Sequence, residues 1–519
     1  MKTSNNQTYN HKNPQPAPRK LGLTTLLQAI AALALCLIFL KAIIDIDTNY
    51  DTWWYHLPFA ARIWGIVPLE QFTPELVIQY RFEGFPLLAH WFQGLLWLVT
   101  GRIQAANLVC FFSVIIYIVF LKTRLQVPWY LSAISLLAIP TVFTHAATCF
   151  VDLPGNIGMS VLMMMTYLLF QEPKLPSLRD SIVMFLGAVT AVNTKPQLQP
   201  LTFLVCCIIG LRLIWLYFKQ SSAVKHKLFK ILPLALLASL LIFATPVKNI
   251  ALHGNPFYPI KIEVAGVVLN HKSVPKTYQE GNRPQKWLDS VLEITTPPWW
   301  STDQWNAGIE EYMDRGGGFF GAYVIFNILL LIGLSIQEQA QHRQLPAAEV
   351  KTEARMALGT VFLMSLVPAN FPQSHELRYF MFWMISLVSL NLYLLSRSPA
   401  HWRRWRWLQP KYVGLIYLIF HIFVQNKIGR FYGRPVGISW EKHLSNTVKP
   451  ELLSKITPSA QVCLRSKHGI SNEQQIPFVP IQNTFLYSSY FHPELNYSYS
   501  IRAAVDLENC GDRQIIPSE

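Results

Sequence analysis

Across 519 residues, 51% are hydrophobic and 14% are charged, and the mean hydropathy is +0.26. So little polar surface cannot cover a soluble globule of this size, which excludes a soluble enzyme and indicates a polytopic membrane protein. The net charge of +15 does not signal nucleic acid, because the basic residues gather in loops between apolar runs and not along one exposed face.

Residues 1–20 form a polar tail, expected to be disordered and cytoplasmic. The apolar run from Leu21 to Ile44 is too long for a signal-peptide core and lacks a small-residue cleavage site, so it is expected to persist as a first span. Further apolar stretches follow at 104–121, 128–146, 155–170, 180–194, 199–218, 230–246, 319–336, 356–369, 379–396 and 411–425. Roughly 20 such residues cross a hydrocarbon core of about 30 Å. If residues 84–100 also crossed, Lys122, Arg124, Lys174, Arg179, the 212–230 cluster and residues 403–411 would lie opposite the basic tail, against the positive-inside bias. That segment is therefore expected to be an interfacial helix held by His90, Trp91, Gln93 and Trp97.

The expected fold is an all-α polytopic membrane protein of about eleven transmembrane helices with added juxtamembrane helices. Its N-terminus would be cytoplasmic and its C-terminus extracytoplasmic, in a plasma (inner) membrane. The membrane domain would run over 21–425, with outer loops at 45–103 and 247–318. A small extracytoplasmic region, 426–519, would follow, of α/β or irregular structure. Cys36, Cys110, Cys206 and Cys207 sit in apolar runs as small hydrophobes. Cys463 and Cys510 are either a disulfide, in an oxidising exterior, or two free thiols.

Polar residues collect where spans reach the outer face. Just after the first apolar run stands "DIDTNYDTWWYHLP", residues 45–58. Asp47, Asp51 and Tyr55 are spaced to share one side of a continuing helix, and Pro58 marks a new start. Asp45 and Asp47 read most simply as solvated linker acids. Asp152 in "CFVDLPGN" is either a helix-start carboxylate or a functional acid. Lys195 in "NTKPQLQP" is either a snorkelling lysine or an anion ligand. "LHGNPFYPI", 252–260, shows only that the chain bends sharply. Arg378, with Tyr379 in "HELRYF", calls for an anionic partner, because topology does not favour a cation there. Together, carboxylates at this boundary can take a proton from a hydroxyl while Lys and Arg stabilise a phosphate leaving group.

Several of these pieces resemble one known family. "DTWWYHLPFAARIW" (51–64) resembles the D-x-x-x-Y-H-L-P signature of bacterial GT-C-type glycosyltransferases, which use polyprenyl-phosphate sugars. "YRFEGFPLLAHWFQGLL" (80–96), "DLPGNIGMSVLMM" (152–164), "NTKPQ" (193–197) and "GNPFYPI" (254–260) resemble that family's juxtamembrane helix, second acidic loop, lysine break and later turn. Order and approximate spacing agree over about 21–400. By this resemblance Asp51 would be the catalytic base, and Asp152 would position the acceptor or a divalent metal, if one is used. Lys195 and Arg378 would meet the lipid phosphate, while Tyr55 and His56 would line the sugar pocket. Arg81, Glu83, Asn255, Tyr258 and Tyr379 would contact substrate. The Asp-Glu pair of the mannosyl and aminoarabinosyl relatives is missing, with Asn49, Tyr50 and Asp51 in its place. The implied reaction is inverting transfer from a polyprenyl-phosphate sugar donor to a glycan, lipid or protein acceptor. A transporter or flippase for a polyprenyl-linked glycan, or a glycan polymerase or ligase, is the alternative.

Overall fold

The computed structural model describes residues 22–219, 228–274, 282–294, 318–342, 352–397, 408–467 and 479–516. Each expected apolar stretch carries helix. Among the described residues, six helices are long and apolar enough to cross a membrane: Leu23–Ile44, Ile103–Arg124, Asp152–Gln171, Leu198–Phe218, Gly321–Ala340 and Leu377–Arg397. The pair Pro233–Ile242 and Ala244–His253, bent by 76°, makes a seventh if it is one broken span.

Length and composition among the described residues thus support fewer crossings than the eleven expected, and the reasons are local. Pro140 splits the 128–146 run into helices Trp129–Leu137 and Pro140–His145, with Ile139 extended before the ring as a pre-proline residue prefers. Helix Leu178–Val192 has 15 residues, about 22 Å of rise, and starts at a Ser177/Asp180 capping box. Glu353–Asn370 and Pro410–Tyr432 are long enough but carry charged and amide residues.

The ambiguous 84–100 segment forms helix Leu88–Thr100, whose 13 residues rise about 20 Å and cannot cross. What holds it differs from expectation. His90, Gln93 and Trp97 are buried in protein, Gln93 donates to the Cys149 carbonyl at 2.6 Å, and only Trp91 is exposed.

The region after 432 is built around strand β4 (Gln461–Lys467), with β6 (Ser500–Ala504) on one side and β5 (Val479–Pro480) and β7 (Gln514–Ile516) on the other, all parallel. Strand β1 (Phe72–Thr73) of the first outer loop joins β6, also in parallel, while β2 (Glu263–Val264) and β3 (Val267–Val268) pair antiparallel apart from this sheet. One hydrophobic core serves both regions, combining Trp53, Leu57 and Phe72 with Leu452, Val462, Phe485 and Ile501. Cys463 and Cys510 are disulfide-bonded across 47 residues, with Cα atoms 5.5 Å apart. Closing a loop of that length restricts the unfolded chain by roughly 4 kcal/mol on the chain-entropy estimate.

Asp45 is buried, not solvated. It pairs with Lys41 at 2.9 Å and accepts from the backbone N–H groups of Val436 and Gly437 at 2.8 Å and of Ile438 at 3.3 Å. A carboxylate with this many donors ties the end of the first helix to the C-terminal region.

Candidate active site

Asp47 also departs from the linker reading. Its carboxylate accepts from the Asn49 backbone and side chain at 3.0 and 2.6 Å, from the Thr52 hydroxyl at 2.6 Å and from the Cys149 N–H at 2.8 Å. These bonds fix the turn from which Asp51 emerges. Residues 45–49 are not helical, so the expected Asp47–Asp51–Tyr55 stripe does not form. Instead Thr52–His56 makes one turn of π-helix, a wide turn often found at functional sites. It buries Tyr55 and His56 and leaves Asp51 at its lip.

Ion pairs to Asp51 and Asp152 meet there, and Arg378 Nε also lies 3.9 Å from Glu376 Oε2. Arg378 Nη1 lies 3.3 Å from Asp51 Oδ2, with both side chains about one-fifth exposed, at 20% and 19%. Lys195 Nζ lies 2.7 Å from Asp152 Oδ1, at only 8% and 2% exposure. The Tyr379 ring joins them, with Lys195 Nζ 4.7 Å and the Arg378 guanidinium 5.3 Å from its centroid, both within cation–π range. Asp152 therefore does not cap its helix, and Lys195 does not snorkel. Asp51, Asp152, Lys195, Arg378 and Tyr379, more than three hundred residues apart at the extremes, surround one point at one end of the helix bundle.

Asn156 fixes this arrangement, and sequence reasoning missed it. Its amide donates to the carbonyls of Asp152 and Arg378 at 2.8 and 3.1 Å and accepts from the Phe382 N–H at 2.9 Å. The available signal was an amide one turn inside an apolar span, where a polar side chain needs a partner.

His56 and His90 form a second buried feature, with Nδ1 and Nε2 2.9 Å apart. Burial, then the neighbouring His90, Lys195 and Arg378, holds His56 well below the usual imidazole range. Burial, then Lys195, pushes His90 down to about 3. Both rings are neutral near pH 7 and share one proton across their contact. His56 Nε2 is buried and has no partner among the described residues. Tyr55 stays protonated, its pKa raised by burial and then by Asp51 and Asp152.

The remaining expected residues divide. Arg81 stacks its guanidinium 4.6 Å over the Trp54 ring, beside Tyr55, and makes no ion pair among the described residues. Glu83 accepts from Gln79 at 2.8 Å, and its carbonyl accepts from Lys248. Asn255 is spent inside its own turn, donating to the carbonyls of Ile260 and Asn270 and accepting from the Phe257 N–H. Tyr258 is stacked on His253 at 3.7 Å, and its carbonyl faces Gly84 so closely that a Cβ there would sit 2.2 Å away. The structure thus makes a packing joint of Asn255 and Tyr258 and describes no contact from either to the acid cluster.

A divalent metal fits poorly. Lys195 and Arg378 already face the two carboxylates, and no group of three or more His, Cys, Asp or Glu among the described residues has the geometry to hold one.

No family model and no curated protein matches this sequence. Two crystal structures match over most of its length. ArnT from Cupriavidus metallidurans bound to undecaprenyl phosphate is similar at 12% identity and a TM-score of 0.49, over 93% of this chain and 86% of that one. ArnT from the same organism in the apo state is similar at 13% identity and a TM-score of 0.49, over 92% and 85%. A likeness this slight carries no argument for function, which rests on the side chains themselves.

Proposed function

We propose that this chain is an inverting glycosyltransferase that takes its sugar from a polyprenyl-phosphate donor. The observation that carries the reading is the meeting of Asp51–Arg378 and Asp152–Lys195 around the Tyr379 ring. The partly open Asp51 acts as base and takes the proton from an acceptor hydroxyl. The hydroxyl oxygen bonds to the anomeric carbon as the bond from that carbon to the phosphate oxygen breaks. Arg378 and Lys195 stabilise the charge left on the phosphate. Tyr55, protonated, and His56 Nε2 face this region with a donor and a ring nitrogen for the sugar. Arg81, stacked on Trp54 and without an ion pair among the described residues, is a further cation for the phosphate.

An apolar groove of about 490 Å³ between helices Asp152–Gln171, Leu198–Phe218 and Glu353–Asn370 suits an isoprenoid chain. Met159, Met163, Phe170, Leu201, Leu363 and Phe382 help line it. Its nearest residue on the first of these helices, Met159, is about 10 Å of helix rise from Asp152, so a lipid lying there ends its headgroup at the ion pairs.

Purified protein supplied with a radiolabelled polyprenyl-phosphate sugar and a panel of glycan, lipid and peptide acceptors tests this. Wild type is expected to release polyprenyl phosphate, and Asp51→Asn to lose on the order of 10²–10⁴-fold in rate, the usual worth of a positioned base. Undiminished turnover in Asp51→Asn rejects Asp51 as the base.

A further inference from the structure

A second cleft, of about 380 Å³, opens where the first outer loop meets the C-terminal region. It is large enough for a small ligand, since such pockets run from roughly 300 Å³ upward. It plays no part in the ion-pair chemistry, yet its wall includes Tyr50, the residue directly before Asp51.

The lining is unlike the rest of the site. Three side-chain amides, Asn446, Gln482 and Asn483, face it without a hydrogen-bond partner among the described residues. Each amide offers a donor and an acceptor side by side, which matches two neighbouring hydroxyl groups. Aromatic rings supply the walls. Tyr50 is half-buried and held edge-on by Trp54 at 5.3 Å, and His443 is stacked on the buried Trp53 at 4.9 Å. Among the described residues, Lys449 is the only charged side chain in the lining, and none of them is a carboxylate. Burial pushes His443 down to about 4, so its ring is neutral near pH 7. The described lining is dominated by amides, hydroxyls and aromatic faces, which suit the hydroxyl groups and ring faces of a neutral carbohydrate; its one cation, Lys449, is exposed, where solvent screens its pull on an anion.

We propose that this cleft is the acceptor subsite and that it holds a neutral carbohydrate, seated by Asn446, Gln482 and Asn483 with one hydroxyl directed past Tyr50 towards Asp51. The inference rests on the transferase reading and names its acceptor class. It also gives the C-terminal region a task, because Asn446, Gln482 and Asn483 all belong to it while Tyr50 and Trp53 come from the first outer loop.

The test is binding, with full-length protein in lipid nanodiscs, to immobilised neutral di- to tetrasaccharides of hexose and N-acetylhexosamine, with acidic saccharides and peptides alongside. Wild type and Asp51→Asn are expected to retain at least one neutral saccharide. The double variant Gln482→Ala/Asn483→Ala should lose at least tenfold in affinity. Asn446→Asp, a change at an exposed side chain, should also weaken binding without moving the melting temperature. The proposal is overturned if wild type retains no neutral saccharide, if it prefers peptides or acidic saccharides, or if neither variant weakens binding. Release of polyprenyl phosphate from the donor, measured in the same preparations, separates the two claims. Donor turnover without saccharide binding removes the subsite and keeps the transferase, and saccharide binding without donor turnover does the reverse.

Discussion

The two ion pairs share one aromatic ring and differ in depth. Asp152–Lys195 is 2–8% exposed, whereas Asp51–Arg378 is about 20% exposed. A buried pair is costly to break, because the surviving charge has no water to turn to. A partly exposed pair contributes at most about 1 kcal/mol and can exchange partners with a substrate. On the proposed reading, the deep pair holds the site's shape while keeping Lys195 beside the phosphate, and the shallow pair carries the base.

Breaking the deep pair should have the largest effect on stability. Lys195→Ala is expected to cost about 3–5 kcal/mol, by stranding Asp152, and adding Asp152→Asn should recover most of that. Thermal unfolding in detergent measures both, and a single variant as stable as wild type would erase the distinction.

An intermediate effect should come from pH. The folded pKa values of His56 and His90 lie below the usual value of about 6.5, so the unfolded chain binds more protons through that window. Their contribution to stability is whole above about pH 6.5 and falls as pH drops towards about 3. Melting temperature should therefore decline from pH 7 to pH 5, and His90→Gln should flatten the decline. An unchanged slope would remove the pair from the stability of the site.

The smallest effect should attend the shallow pair. Asp51→Asn is expected to shift stability by less than about 1 kcal/mol while turnover collapses. A large loss of stability would place Asp51 with the deep pair instead.

Much of the fold was legible because hydrophobic length is a strong signal. Every apolar stretch became helix, and segment 84–100 proved too short to cross. The number of crossings was less legible, since Pro140 and the 76° bend after Ile242 divide runs that composition alone joins. At the site, Asp152 and Lys195 each had a local explanation, and only their 2.7 Å contact decided against it. Asp45 and Asp47 misled for the opposite reason. Their nearby partners, Lys41 for Asp45 and Asn49 and Thr52 for Asp47, are equally compatible with an exposed turn, and the ones that anchor them in the fold, Val436 to Ile438 and Cys149, are remote in sequence. Asn255 illustrates a third case, an amide inside a motif that is used up in making its own turn.

Strand β1 pairs with β6, and Phe72 and Ile501 face each other although over four hundred residues separate them. A ribosome makes the loop bearing Asp51 long before the strand that receives it. Until the late segment arrives, that early loop has no sheet to join, and Asp45 has no N–H groups from Val436 to Ile438 to grip. The packing around the Asp51 loop is thereby completed only after residues 436–438 and 500–504 have been made.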